Sequence, residues 1–425
     1  MIHHRPAALA LLLLAPFVHA QNKDKKAQPP AEFFVRCERD DALYKTGEKA
    51  KFVFKSPVAG EAYYAFTEDG HKVIRNGSVM MDANKFYSLE QGLDHPGFLQ
   101  LKITQGKTTK LAAAGFDPTK IVPSAPPPAD FDAFWQKQLD AVKDVPLDAQ
   151  LDPWPAQSIL GVDAYKLTFK VRENRFAYGA LAVPKWEGPF PAILTVPYAG
   201  VYPVEPEAEQ ARLGAITLNL IIHEFPVDIT KAEAAKFAAD KLKDYRKIGF
   251  DDREKSYFLD GILACYRAVE FLRSRKDFNG KDLAVTGSSQ GGGLSIITAG
   301  LHPKVTVLAS NVPALCDHTG FVKERVSGWP KWVAAATGEQ KNKAEEAARY
   351  YDAVNFARKV KAKSLVGVGF IDTVCPPTSV YAAFNELPEP KSILTSPLMG
   401  HSTDPRYSRA RIEFFKKHMQ MRPVQ

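Results

Sequence analysis

Gly287-Ser288-Ser289-Gln290-Gly291 follows the apolar run Leu283-Ala284-Val285 and leads into Gly292-Gly293 and the apolar positions Leu294, Ile296 and Ile297. Few patterns restrict a fold more. Gly-x-Ser-x-Gly between a buried strand and a helix describes a strained strand-to-helix turn, where a side chain two residues before or after the serine would strike neighbouring backbone. The register selects Ser289. Centring the pattern on Ser288 would put Thr286 and Gln290 where the turn needs glycine. With strand before it and helix after it, the stretch reads as a nucleophile elbow rather than an ordinary glycine-rich turn.

The surrounding chain alternates apolar strands with helices. Strand signals fall at Ala192 to Val196, Ala215 to Ile222, Leu283 to Thr286, Val305 to Ala309 and Ser364 to Phe370. This alternation specifies an α/β layer sandwich with a mainly parallel sheet. The helix before the elbow, Ser256 to Arg275, has an apolar face of Phe258, Ile262, Cys265, Tyr266, Val269 and Leu272. An earlier helix starts near Asp130, a candidate cap, with Phe131, Phe134, Trp135, Leu139 and Val142 at helical spacing.

Upstream the period changes. Phe98 to Ile103 alternates apolar and polar residues, Tyr63 to Phe66 runs into the turn Glu68-Asp69-Gly70, and Asn76-Gly77 and Pro96-Gly97 punctuate further strands. Residues 21–112 are therefore expected to form a small immunoglobulin-like β-sandwich domain. A proline-rich linker over 113–128, ending in Pro126-Pro127-Pro128, separates it from an α/β domain over 129–425. The β domain reads either as a carbohydrate-binding module or as a packing appendage that shapes the cleft. Residues 1–20 read as a secretory signal, with His3, His4 and Arg5 before an apolar Ala7-to-Val18 stretch and Val18-His19-Ala20 at the cleavage site. That apolar stretch is shorter than the roughly 20 residues a membrane span requires. The expected product is a periplasmic or secreted protein cleaved after Ala20, with no membrane span.

At 425 residues and 45% hydrophobic composition the chain exceeds a typical single core, which again suggests two domains. The formal charge of +8 is spread without a Lys/Arg block, which argues against nucleic acid as a partner. Four cysteines, Cys37, Cys265, Cys316 and Cys375, are too few and scattered for a disulfide scaffold or a zinc pattern. Cys316 and Cys375 each follow a strand-like run, so a bridge between them is conceivable, with two free thiols the expected state. His223-Glu224 begins like a zinc-protease motif, but Val227 replaces the second histidine and Pro226 breaks the helix. Gln105-Gly106-Lys107-Thr108 resembles the end of a phosphate loop but has Leu101 in place of the first glycine. No metal and no cofactor is expected, and the sequence leaves a homo-oligomer open.

A serine hydroxyl needs a base to take its proton and a carboxylate to orient that base. Asp372 ends the strand signal Ser364 to Phe370, at the edge of the sheet where an acid belongs. Only His401 and His418 lie downstream of it. His418 sits late in a terminal helix, whereas His401 follows Met399-Gly400 on a loop that can face the elbow, so His401 is the expected base. Asp404 is the alternative acid, less suited because it lies so close to His401. The oxyanion of an acyl-transfer intermediate requires backbone N–H donors. Gln290, first in the elbow helix, is expected to supply one, and the turn after Ala192 to Val196 the other, where Tyr198 is the candidate, since Pro197 has no N–H, against an ordinary turn over Pro197 to Gly200. The Tyr198 ring, with Trp329 and Trp332, is a candidate substrate contact; for the two tryptophans, core or lid packing is the competing reading.

From Gly249-Phe250-Asp251-Asp252 through Arg267-Ala268-Val269 and Leu272-Arg273-Ser274-Arg275 to Gly287 to Gly293, the chain resembles the acetyl xylan esterase and cephalosporin-C deacetylase family of carbohydrate esterases. The resemblance includes Pro128 to Trp135 and excludes the first hundred residues. It implies an α/β-hydrolase fold and a serine carboxylesterase acting on acetylated oligosaccharide or polysaccharide. It also places Tyr198 at the tyrosine of the family's His-Gly-Tyr. The chain departs from the family where Val196-Pro197 replaces His-Gly, where no Arg-Gly-Gln occurs near Ile221 to Phe225, and where Ser402 follows the histidine instead of Glu. These departures bear on substrate preference and assembly rather than on the triad. The same machinery on this fold would serve a peptidase or an esterase of another substrate class. A non-catalytic carbohydrate-binding protein is the third alternative.

Overall fold

The computed structural model describes residues 32–423. The signal segment and the polar tether fall outside them. The first eight strands are β1 (Phe34–Cys37), β2 (Leu43–Tyr44), β3 (Ala50–Lys55), β4 (Gly60–Glu68), β5 (Lys72–Met81), β6 (Phe86–Gln91), β7 (Gly97–Gln105) and β8 (Thr108–Phe116). They form a three-stranded sheet, β1-β3-β6, and a five-stranded sheet, β2-β8-β7-β4-β5. The opening strand is divided between the sheets: β1 pairs antiparallel with β3, and β2 pairs parallel with β8. This is an immunoglobulin-like sandwich. Alternation makes it possible, since β3 buries Ala50, Phe52 and Phe54 and points its lysines outward, and Phe52 meets Phe66 of the facing sheet at 5.6 Å.

Strand β8 runs on to Phe116, into the stretch expected to be linker. Ala112-Ala113-Ala114-Gly115 carries no strand-like side chains, yet it pairs in register with Phe98 to Leu101 of β7 and is buried. Pairing on a buried face overrides weak intrinsic preference. The proline-rich segment beyond β8 is fastened to the second domain. Ser124 is buried, with its N–H and hydroxyl donating to Asp317 Oδ1 at 2.8 and 2.5 Å, and Arg349 reaches Pro126 O at 2.8 Å.

The remaining strands are β9 (Gln150–Pro153), β10 (Val162–Arg172), β11 (Arg175–Pro184), β12 (Phe190–Val196), β13 (Ile216–Ile221), β14 (Phe278–Ser288), β15 (Val307–Asn311), β16 (Lys363–Gly369) and β17 (Lys391–Ser396). They build one nine-stranded sheet in the order β17-β16-β15-β14-β12-β13-β11-β10-β9. β12 to β17 are mutually parallel, and β11, β10 and β9 add an antiparallel flank. Helices cover the sheet, among them Phe131–Lys143, Tyr257–Ser274, Gln290–Leu301, Pro377–Glu386 and Pro405–His418. Strand β12 has β13 on one side and β14 on the other, so the strand order reverses there. The loops leaving β12 and β14 consequently meet at the carboxyl edge, where open α/β sheets place their sites.

Asp130 occupies the first helix's cap position but makes no capping bond. Its carboxylate instead takes the Arg253 guanidinium at 2.7 Å and the Tyr350 hydroxyl, tying the helix start to the rest of the domain.

Candidate active site

At the end of β14 the backbone of Ser289 adopts φ 57° and ψ −122°, a conformation an L-residue holds only when its surroundings enforce it. Three backbone bonds do so: Ser289 N–H to Asn311 O at 2.9 Å, and Gly293 and Ala314 N–H to Ser289 O at 3.1 and 2.9 Å. The flanking glycines have no room for a side chain. A Cβ on Gly291 would lie 2.2 Å from Val196 O, and one on Gly287 2.5 Å from the Gly291 carbonyl. The neighbouring hydroxyl, Ser288 Oγ, accepts from Asn311 Nδ2 at 3.2 Å and takes no part in the triad.

The structure brings Ser289, His401 and Asp372 together in one line. Ser289 Oγ is 2.8 Å from His401 Nε2, and His401 Nδ1 is 2.7 Å from Asp372 Oδ2. A carboxylate oxygen accepts, so Nδ1 carries the proton and Nε2 is left to accept from the serine hydroxyl. Asp372 is buried, and its Oδ1 accepts from the Val374 and Cys375 N–H groups at 2.8 and 2.9 Å, which fixes the carboxylate plane. Asp404 stands apart. It caps Pro405–His418 through Arg406 N–H at 2.8 Å and binds the Arg406 guanidinium and the Ser396 hydroxyl, contacts that pull its carboxyl down to about 2. His418 closes that same helix, beside Lys363.

A buried polar lattice that sequence reasoning missed joins the elbow to the turn after β12. The Gln290 side chain donates from Nε2 to Pro197 O at 3.4 Å and accepts at Oε1 from Tyr245 Oη at 2.6 Å. Tyr245 Oη in turn accepts from Gly200 N–H at 3.2 Å. His223 Nε2 lies 2.8 Å from Gly200 O, and its Nδ1 lies 2.7 Å from Tyr257 Oη. A carbonyl only accepts, so Nε2 holds the His223 proton and Nδ1 accepts from the tyrosine. Burial pulls His223 down to about 4 and pushes Tyr245 up to about 12, so both stay neutral near pH 7. With both nitrogens engaged, His223 is a brace rather than a metal ligand. Only the aromatic residues at 245 and 257 and the histidine at 223 hint at this lattice in sequence, since its bonds link segments far apart in the chain.

Tyr198 and Gln290 therefore belong to two turns that are bonded to each other. The Tyr198 ring is 57% exposed and stacks on Tyr202 at 4.3 Å. Trp329 is half-buried near Phe258. The expectation for Trp332 as a substrate contact is corrected: it is 1% exposed, stacks on His318 at 4.7 Å and donates from Nε1 to Arg246 O at 2.5 Å. An indole whose ring and N–H are both satisfied inside the core offers nothing to a ligand.

All four cysteines are free and buried, so Cys316 and Cys375 form no bridge. The Cys375 thiol lies beside Ser289, and burial raises it well above the ordinary thiol range. Candidate ligand atoms of Asp372, Cys375 and His401 fall within 4.8 Å of one another, a donor set of the kind zinc takes. The 2.7 Å between Asp372 and His401 is a hydrogen-bond distance. It is shorter than the gap between two ligands each about 2.0–2.2 Å from one tetrahedral ion.

A mainly parallel sheet, an elbow serine and an aligned His–Asp pair at its carboxyl edge define the class: this is an α/β-hydrolase. The acetyl xylan esterase (AXE1) family model matches residues 119–419, and the chain belongs to that family, which makes it a carboxylic-ester hydrolase. It is 32% identical over 397 residues to the acetyl esterase Axe7A of Xylanibacter ruminicola, a match covering 89% of each chain. That stretch is too long to lie within the catalytic domain alone. Among solved structures, acetyl xylan esterases of Paenibacillus sp. R4 and Thermoanaerobacterium sp. JW/SL YS485 each superpose with a TM-score of 0.63, at 23% and 22% identity. Both matches cover 71% of this chain, against 98% and 97% of theirs, and they support the fold.

Proposed function

We propose that this chain is an exported serine carboxylesterase that removes acetyl groups from xylan or xylan-derived oligosaccharides through an acyl-enzyme. The carrying observation is the continuous line Ser289 Oγ, His401, Asp372 at 2.8 and 2.7 Å, on an elbow that excludes any side chain at 287 and 291. In this reading Ser289 Oγ attacks the acetyl carbonyl carbon while its proton passes to His401 Nε2. Asp372 stabilises the imidazolium. The Gln290 and Tyr198 N–H groups hold the oxyanion, and the lattice through Tyr245 sets their spacing. Collapse breaks the bond to the sugar oxygen, which leaves with the His401 proton. A water then repeats the sequence, releasing acetate and restoring Ser289.

The acetyl and xylan assignment draws on the family and on the Xylanibacter ruminicola acetyl esterase. The exposed Tyr198 ring, stacked on the half-buried Tyr202, and the half-buried Trp329 supply aromatic faces on which sugar rings can rest. Export rests on the pattern of residues 1–20; among the described residues no helix is long and apolar enough to cross a membrane. The test is acetate release from acetylated xylo-oligosaccharide by residues 21–425, with Ser289→Ala alongside. Release by the parent and none by the variant is expected. Equal release by both would overturn the serine mechanism, and no release by either would overturn the substrate.

A further inference from the structure

We propose that the β4–β5 turn of the immunoglobulin-like domain is a working part of the active site, buttressing the loop that carries Asp372, with Asp69 and Gly70 as positioning residues. The inference rests on Asp372 acting as the triad acid. The turn is tight: Asp69 and Gly70 take φ 46° and 76°, and His71 N–H closes it on Glu68 O at 2.8 Å. Gly70 faces Thr373, the residue next to Asp372. A Cβ added at Gly70 would stand 2.8 Å from Thr373 Cγ2.

The domain also grips the segments on either side of the loop. Before it, Phe98 of β7 packs on Phe370 at 4.9 Å; after it, Phe98 packs on Tyr381 of Pro377–Glu386 at 5.4 Å. Asp69 is buried beside Thr378 in the first turn of that helix. Its carboxylate therefore stands at the positive end of the helix that the acid loop feeds. Asp372 holds its plane through the N–H groups of Val374 and Cys375, so displacement of Thr373 passes straight into the bond with His401. A carbohydrate-binding module tethered for targeting would have no reason to bury a carboxylate and a phenyl ring against this loop.

The test compares two glycines of the same domain. Gly70→Ala introduces strain from positive φ together with contacts on Thr373 Cγ2 and on Gln100 Oε1, at 2.8 and 3.0 Å, of which Thr373→Ser relieves only the first. Gly106→Ala, in the β7–β8 turn at φ 57° with nothing within 4 Å, introduces the strain alone. Turnover of an aryl acetate by the parent, lost in Ser289→Ala, first secures the serine mechanism, so the ratios between variants report on this inference alone. Gly70→Ala should lower kcat on the order of 10-fold with KM unchanged, as small displacements of catalytic groups do, while Gly106→Ala leaves kcat unchanged. Thr373→Ser, which removes the struck methyl, should restore part of the loss when added to Gly70→Ala. Equal kcat in the two glycine variants, or no restoration by Thr373→Ser, would overturn the proposal. If Gly70→Ala does not fold, the shape-preserving Asp69→Asn decides: a fall in kcat at constant KM supports the proposal, and unchanged kcat overturns it.

Discussion

Replacing Tyr245 with Phe removes one oxygen and tests how the two candidate oxyanion turns are held. The hydroxyl donates to Gln290 Oε1 at 2.6 Å and accepts from Gly200 N–H at 3.2 Å. Gln290 is fully buried, so its carbonyl has no route to water after the change. A buried acceptor left unpaired costs about 1–3 kcal/mol, and the half-buried Gly200 N–H adds less because water can reach it. The folded state should lose about 2–3 kcal/mol on that basis. The loss falls on the contact between the elbow and the Pro197–Gly200 turn, which carry the Gln290 and Tyr198 amides proposed as oxyanion donors. Deleting an oxyanion donor outright costs about 10²–10³ in kcat. Loosening one while keeping it should cost about 10-fold, which is about 1.4 kcal/mol of barrier. The oxyanion forms in the tetrahedral intermediate and the transition states that flank it and is absent from the bound ester, so kcat falls and KM holds. Steady-state kinetics on an aryl acetate, normalised by active-site titration, reads both parameters, and urea denaturation reads the stability. Wild-type kcat in a destabilised Tyr245→Phe enzyme would mean instead that the lattice supports the fold without setting the site.

Asp372→Asn should keep the fold and lower kcat by about 10³–10⁴, the loss expected when the base is held in the wrong tautomer; steady-state kinetics at matched pH measures it. Gly291→Ala puts a Cβ 2.2 Å from Val196 O, so it should fail to give soluble enzyme or lose more than about 3 kcal/mol in urea denaturation. Burial pushes Asp69 up to about 7, against the opposing contacts of Thr378 and Arg325 and with Glu68 adding to the rise. The native chain thus keeps a proton that the unfolded chain releases near pH 4. Stability falls as pH climbs from about 4 to 7 and levels above, by about 4 kcal/mol for three pKa units. Asp69→Asn should flatten that slope in urea midpoints across pH, leaving the share due to Asp352, which burial also raises to about 7. A thiol reagent should find no cysteine in the native described core and four after unfolding without reductant.

How much of this was readable in the chain depends on the range of the interaction. The elbow was legible because its constraint is local: glycine at 287 and 291 answers to backbone a few ångströms away. Asp372 and His401 were legible through chain order and strand ends. The antiparallel strand β10 was less legible, because its buried positions, Val162 and Ala164 and then Leu167, Phe169 and Val171, change phase at Tyr165-Lys166. The Gln290–Tyr245–Gly200–His223 lattice was not legible, because a hydroxyl's partner depends on how distant segments dock. Trp332 failed for a related reason. Trp332 lies between Lys331 and Val333, just after Gly328-Trp329-Pro330, a setting that suits a surface platform and a lid equally in sequence, and only packing against Phe258 and Tyr351 reveals it as core. Gly70 carried a turn signal, but nothing in sequence said that the turn would face Thr373 in another domain.

In the proposed mechanism Ser289 carries the acyl group. Acid-quenching the enzyme during turnover of an aryl acetate and mapping the acetylated peptide by mass spectrometry tests it directly. One acetyl group on Ser289 is expected, accumulating in the parent and absent in Ser289→Ala. Acetyl found on the neighbouring Cys375 instead, or turnover with no acetylated residue at all, would contradict it.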